Sequence, residues 1–118
     1  MEGPTLQIQE ELLLAKQSRE EGNEGRARVC ARRAAGAAAQ GYLLRAGYGD
    51  RAGNVLESLQ AMKQTLILPE RVEQAIDSLL LKVDPDYNLP LDVDLISEAE
   101  TVISYLFSGK DHPIPSEQ

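Results

Sequence analysis

The chain has 118 residues, of which 42% are apolar but only 4% aromatic, with one cysteine, one histidine and a net charge of −7. One domain of this size hides roughly 65% of the surface its unfolded form exposes, so a core can form without staples. A lone cysteine excludes an internal disulfide and a cysteine-based zinc site, the acidic balance excludes capture of a phosphate backbone by the surface as a whole, and no apolar run approaches the about 20 residues that span a bilayer.

Apolar residues recur at helical spacing from the start. A first helix is expected from about Thr5 to Glu20, with Ile8, Leu12 and Ala15 on its inner side and Leu13 flanking them. Gly22 breaks it, and Asn23 is placed to cap the next helix by accepting from its free N–H groups. That second helix, from Glu24 to about Ala46, carries the stripe Ala27, Ala31, Ala34, Ala38 and Gly41, followed by Tyr42. Residues this small let a neighbouring backbone come close, which suits the central helix of a bundle. Gly36 and Gly41 each weaken the helix by about 1 kcal/mol relative to alanine, so packing must compensate.

The glycines of Gly47-Tyr48-Gly49, with Gly53 beyond, end the second helix. A third carries Val55, Leu59, Met62 and Leu66, and Pro69 is expected as the first residue of a fourth, where its missing N–H costs nothing. Val72, Ala75, Ile76, Leu79, Leu80 and Val83 give that fourth helix an amphipathic pattern. Asp84 to Pro90 reads as a loop. A fifth helix has Leu95, Ala99, Val102 and Leu106 on one face, with Ile96 and Ile103 beside them, and Gly109 stops it. No run alternates with period two and no repeat is present. The expected architecture is therefore all-α: an antiparallel up-and-down bundle of four to five helices over residues 1–110, followed by a flexible C-terminal tail, 111–118.

Ala27-Arg28-Val29-Cys30-Ala31-Arg32-Arg33-Ala34-Ala35, then Tyr42-Leu43-Leu44-Arg45-Ala46-Gly47, resemble the long alanine-rich helix of the HEPN superfamily with its closing apolar cluster and glycine. The short helix with Leu56 and Leu59, the Asp86-Tyr87 loop with Pro90 and the last helix from Glu98-Ala99-Glu100 to Tyr105-Leu106 extend the resemblance over roughly residues 5–108. It implies a bundle that forms homodimers and works beside a small nucleotidyltransferase, or binds nucleotide or RNA. Nucleases of the family use an arginine followed shortly by a histidine. Here the one histidine is His112 and the nearest preceding arginine is Arg71, so the imidazole for proton transfer is missing and that activity is not carried over.

Six arginines and a single acid, Asp50, lie between Arg26 and Arg51. Arg28 and Arg32, four apart, share one stripe of the second helix, and Arg26 and Arg33, seven apart, share another. Arg28 and Arg32, with Arg45, are the candidate ligand residues, lining a groove for phosphate or an acidic partner. The competing reading is that these arginines pair with the glutamates and aspartates of neighbouring helices. Tyr105, projecting away from the Ala99–Leu106 face, is the candidate interface residue. Tyr42, Tyr48, Tyr87 and Tyr105 can stack bases or pack on the bundle rim.

Other chemistry fails on its spacing. Asp84-x-Asp86-x-Asn88 starts like a calcium loop, but Leu89 holds the glycine position and Leu95 that of the bidentate glutamate. Di-metal bundle chemistry needs Glu-x-x-His pairs, which are absent, and no serine or cysteine has a histidine partner in a recognisable motif. Cys30, in an alanine-rich stretch, reads as a small buried residue. The expectation is thus a non-catalytic helical binding subunit without cofactor or metal, cytoplasmic because no secretory signal opens the chain. It would be homodimeric, with a nucleotidyltransferase, nucleotide or RNA as partner and no membrane. The alternative is a structural or regulatory protein–protein interaction module with no small-molecule ligand.

Overall fold

The computed structural model describes residues 6–49, 53–81 and 93–107, together with the backbone of 114–115. Five helices make up the described fold: α1 (Leu6–Glu20), α2 (Glu24–Arg45), α3 (Val55–Thr65), α4 (Glu70–Leu80) and α5 (Leu95–Leu106). The all-α bundle expected from the periodicity is the fold observed. Ile114–Pro115 (β2), within the segment read as a tail, pair antiparallel with Leu66–Ile67 (β1), Leu66 opposite Pro115. Arg51, Val83, the Asp84–Pro90 loop with Tyr87, Gly109 and His112 lie outside the described residues.

Alanine content makes α2 the central element. Ala27, Ala31, Ala34, Ala35, Ala38 and Ala39 are all at most 1% exposed, and α2 packs against α1, α3 and α5 at once. The small-residue stripe, expected to suit the central helix of a bundle, is covered by this chain's own helices. Ile8 and Ala15 of α1, Leu59 and Met62 of α3, Ile76 and Leu79 of α4 and Leu95 and Val102 of α5 complete a single core.

The ends of the helices follow local chemistry. Gly22, at φ +83°, turns the chain between α1 and α2, and the Asn23 side chain accepts from the backbone N–H of Arg26 as the cap of α2. Gly47, at φ +92°, ends α2. Pro69 stands one position earlier than expected: its extended ψ of 148° places it just before α4, at the cap position, where no side chain caps the helix. Asp94 caps α5, accepting from the backbone of Ile96 and Ser97.

Three ion pairs tie the helices side to side. Lys16 of α1 meets Glu100 of α5 at 3.0 Å, Lys63 of α3 meets Asp77 of α4, and Arg71 of α4 grips Glu98 of α5 through two nitrogens at 2.8 and 3.0 Å. Arg19, at the end of α1, brings the starts of α2 and α5 together through Glu24 and Asp94. Arg45, at the end of α2, lies over the Phe107 ring just past α5, 5.6 Å from its centroid. Helices α2 and α5 consequently run side by side in the same sense, their starts joined through Arg19 and their ends through Arg45 and Phe107.

Candidate functional site

The arginines of α2 divide by role. Arg32 turns inward: its Nε donates to the carbonyl of Leu79 at 2.6 Å and a terminal nitrogen to that of Leu81 at 3.3 Å. Those carbonyls belong to the open end of α4, where the last turn leaves acceptors without helical donors. Arg32 is thus the C-terminal cap of α4, supplied from another helix. Burial, and then the nearby charge of Arg28, push its guanidinium below the usual arginine value. It still carries its charge, because arginine ionises far above neutrality.

Arg28 also faces the protein. Its Nε lies 3.7 Å from a carboxylate oxygen of Glu24, too far for a hydrogen bond, and is buried with no acceptor among the described residues. Glu24 is principally the partner of Arg19, whose hydrogen bond holds its carboxyl below the usual carboxylate range against the opposing effect of burial. The hollow beside Arg28 is lined by Arg19, Glu24, Val93 and Asp94, so two carboxylates stand where an anion would need only cations. Arg45 sits at the far end of α2, 17 positions from Arg28, a span of roughly 25 Å at 1.5 Å per residue. The three arginines do not share one groove.

Arg26 and Arg33 behave differently. Both are exposed, and among the described residues neither guanidinium has a hydrogen-bond or ion-pair partner. Between them Val29 is 41% exposed, and across from it on α3 Leu56 is 47% exposed. A groove of about 390 Å³ opens there, lined by Val29, Arg32, Arg33, Asn54, Val55 and Leu56.

Local sequence explains this groove. The Asn54 side chain accepts from the backbone N–H of Glu57 at 2.8 Å, and the Glu57 carboxylate accepts from the backbone N–H of Asn54 at 3.0 Å. This reciprocal capping box fixes the first turn of α3. Gln40 of α2 secures the preceding residue by donating to the Gly53 carbonyl at 2.8 Å. Val55 is then pressed onto Gly36: a Cβ at position 36 would lie 2.6 Å from the Val55 carbonyl oxygen, so only glycine admits the approach. With Val55 turned in, its neighbour Leu56 turns out toward Val29.

Sequence reasoning missed Val29, Asn54 and Leu56 as a unit. The available signal was apolar residues standing off their stripes: Val29 off the Ala27–Ala31–Ala34 line, and Leu56 off the line through Val55, Leu59 and Met62. Tyr105 is partly buried and, like Tyr42 and Tyr48, packs against the core. Burial of Tyr42, reinforced by Tyr48 and opposed by Arg45, raises its phenol above the usual value.

Cys30 is 1% exposed, and burial pushes its thiol up, reinforced by the Glu11 carboxylate against Arg33 and Arg26. A second groove, of about 570 Å³ between α4 and α5, is lined by groups that already have partners: Arg71 with Glu98, Asp77 with Lys63, and Asp94 with Arg19. Among the described residues no three His, Cys, Asp or Glu side chains cluster to hold a metal, and no helix is long and apolar enough to cross a membrane.

No protein family, characterised protein or solved structure matches the chain.

Proposed function

We propose that this chain is a non-catalytic helical binding module that holds another protein at the Val29–Leu56 groove between α2 and α3. The observation that carries the reading is the combination at that groove of exposed aliphatic side chains with Arg33, an exposed cation that has no partner among the described residues. Aliphatic surface beside an available guanidinium is suited to a protein contact, where burial gives affinity and the charge fixes register.

The charged groups displaced from their ordinary ionisation along α2 and at the start of α5 are engaged in holding helices together. Arg19, Glu24 and Asp94 form one ion-paired joint, and Arg32 caps α4. The reading drawn from the HEPN resemblance, nucleotide or a nucleotidyltransferase held by Arg28, Arg32 and Arg45, draws less support. Arg32 would have to abandon two carbonyls, and Arg45 lies at the opposite end of α2.

A photo-crosslinking residue in place of Val29, introduced into the chain in its own cells, tests the proposal. We expect one discrete covalent adduct with a second polypeptide, lost when Leu56→Asp is added. An adduct pattern no different from that obtained with the crosslinker at Leu13, an exposed leucine on α1 (57% exposed), would overturn it.

A further inference from the structure

We infer that the occupant of the Val29–Leu56 groove is an acidic segment of a different protein, anchored by one bulky apolar side chain. This rests on the protein-binding reading above and specifies its partner. In a chain of net charge −7, the described residues lining the groove include Arg32 and Arg33 and no acid, and Arg26 lies two turns before Arg33 on the same stripe of α2. The nearest acid on α3, Glu57, has its carboxylate engaged by the Asn54 backbone. Val29, Val55 and Leu56 supply three aliphatic walls within about 390 Å³, ample room for a bulky apolar side chain. The anchor enters between Val29 and Leu56, and a carboxylate one turn away on the incoming segment meets the Arg33 guanidinium, which can grip both its oxygens.

A second copy of this chain is the poorer occupant. A two-fold contact presents the same patch to itself, so Arg26 and Arg33 of one copy would face those of the other. The apolar footprint is also small against the about 1,000 Å² that a stable interface buries. An acidic partner inverts the first objection, since every arginine then gains an opposite charge.

The test uses the full chain and three synthetic helix-forming peptides of one length: glutamates around a central leucine, the same glutamates around a central serine, and lysines around the leucine. Binding is read by fluorescence anisotropy at low salt and mapped by amide chemical shifts. We expect the Glu/Leu peptide to bind at least tenfold more tightly than either other, shifting Val29, Arg33 and Leu56. Arg33→Glu should weaken it at least tenfold with an unchanged melting curve, whereas Arg45→Glu should leave binding unaltered. Equal binding of the three peptides, shifts elsewhere on the bundle, or a homodimer in sedimentation that Leu56→Asp dissolves would overturn the inference. An adduct at Val29 in cells together with peptide failure would remove only the acidic-segment chemistry. Absence of the adduct would remove the binding reading itself.

Discussion

Two faces of one helix carry the same residue types to opposite ends. On one side of α2, Arg28 and Arg32 point into the molecule, Arg32 closing the last turn of α4 and Arg28 lying beside Glu24. On the other, Arg26 and Arg33 reach solvent with Val29 between them and find no partner among the described residues. Their fates differ through what α2 packs against, not through any difference in the arginines. Helix α4 ends at Arg32, so its unsatisfied carbonyls capture that side chain. Helix α3 begins beside Arg33, and its free N–H groups repel a cation and are met instead by Asn54 and Glu57. An arginine becomes structural where a helix stops against it and remains available where a helix starts.

The contrast depends on how closely α3 sits on α2, and Gly36 controls that distance. Gly36→Ala gains up to ~1 kcal/mol of helix propensity, but its methyl group would meet the Val55 carbonyl at 2.6 Å. Overpacking against backbone costs about 3 kcal/mol, so urea unfolding should show a net loss of about 2 kcal/mol. Gly41 in the same helix is the control. There the nearest atom to an added Cβ is the mobile tip of Arg45 at 3.2 Å, so Gly41→Ala should gain up to ~1 kcal/mol. Equal stabilisation by the two substitutions would mean that α3 does not rest on α2 at Gly36, and the groove built on that contact would go with it.

The arginines themselves give the next effect. Arg32→Ala removes both donors from the end of α4 and should cost about 1–2 kcal/mol, the scale of charge-assisted hydrogen bonds in a half-buried setting. Hydrogen exchange should accelerate selectively in the last turn of α4. Arg33→Ala breaks no described contact and should change stability by less than about 0.5 kcal/mol. If the two variants unfold at the same urea concentration, the division between structural and available arginines is wrong.

Much of this organisation was legible in the sequence. Helical periodicity marked all five helices, because each buries one aliphatic or alanine stripe and the stripe is a one-dimensional pattern, but it carried the fourth to Val83, three residues past its end at Leu80, where Leu81 is already extended. Asn23 and Gly47 were readable for the same reason: capping and positive φ are local demands. The candidate site was not. Arg28, Arg32 and Arg45 were grouped by residue type and helical face, but the acceptors that take up Arg32 lie 47 and 49 positions away. Position along one helix does not reveal which helix end will meet it. The shared direction of α2 and α5 was hidden likewise, since it depends on Arg19 meeting Asp94, 75 positions on. Gly36 was marked only as a helix weakener. That it admits the start of α3 becomes visible once the two backbones are in place.

The smallest effect concerns the joint that brings the starts of α2 and α5 together. Burial pushes the Asp94 carboxyl up, but hydrogen bonds from Arg19 and the Ser97 backbone outweigh it and hold the group below its usual range. Glu24 is lowered chiefly by its hydrogen bond from Arg19. Carboxyls depressed in the folded state contribute stability in full above their unfolded values, about 3.9 for Asp and 4.3 for Glu. That contribution is lost as pH falls through the lower folded values, because the unfolded chain then binds more protons than the folded one. The side chains of Arg19 and Asp94 are 34% and 51% exposed, so solvent screening limits the joint to under about 1 kcal/mol. Stability against urea should therefore hold from pH 7 to about 5 and decline below about 4. Arg19→Gln should flatten that decline while leaving the Val29 crosslink intact, because the joint and the groove lie on different parts of α2. A decline of unchanged steepness in Arg19→Gln would place the acid sensitivity in other carboxylates. Loss of the crosslink in that variant would show that the two faces of α2 are coupled.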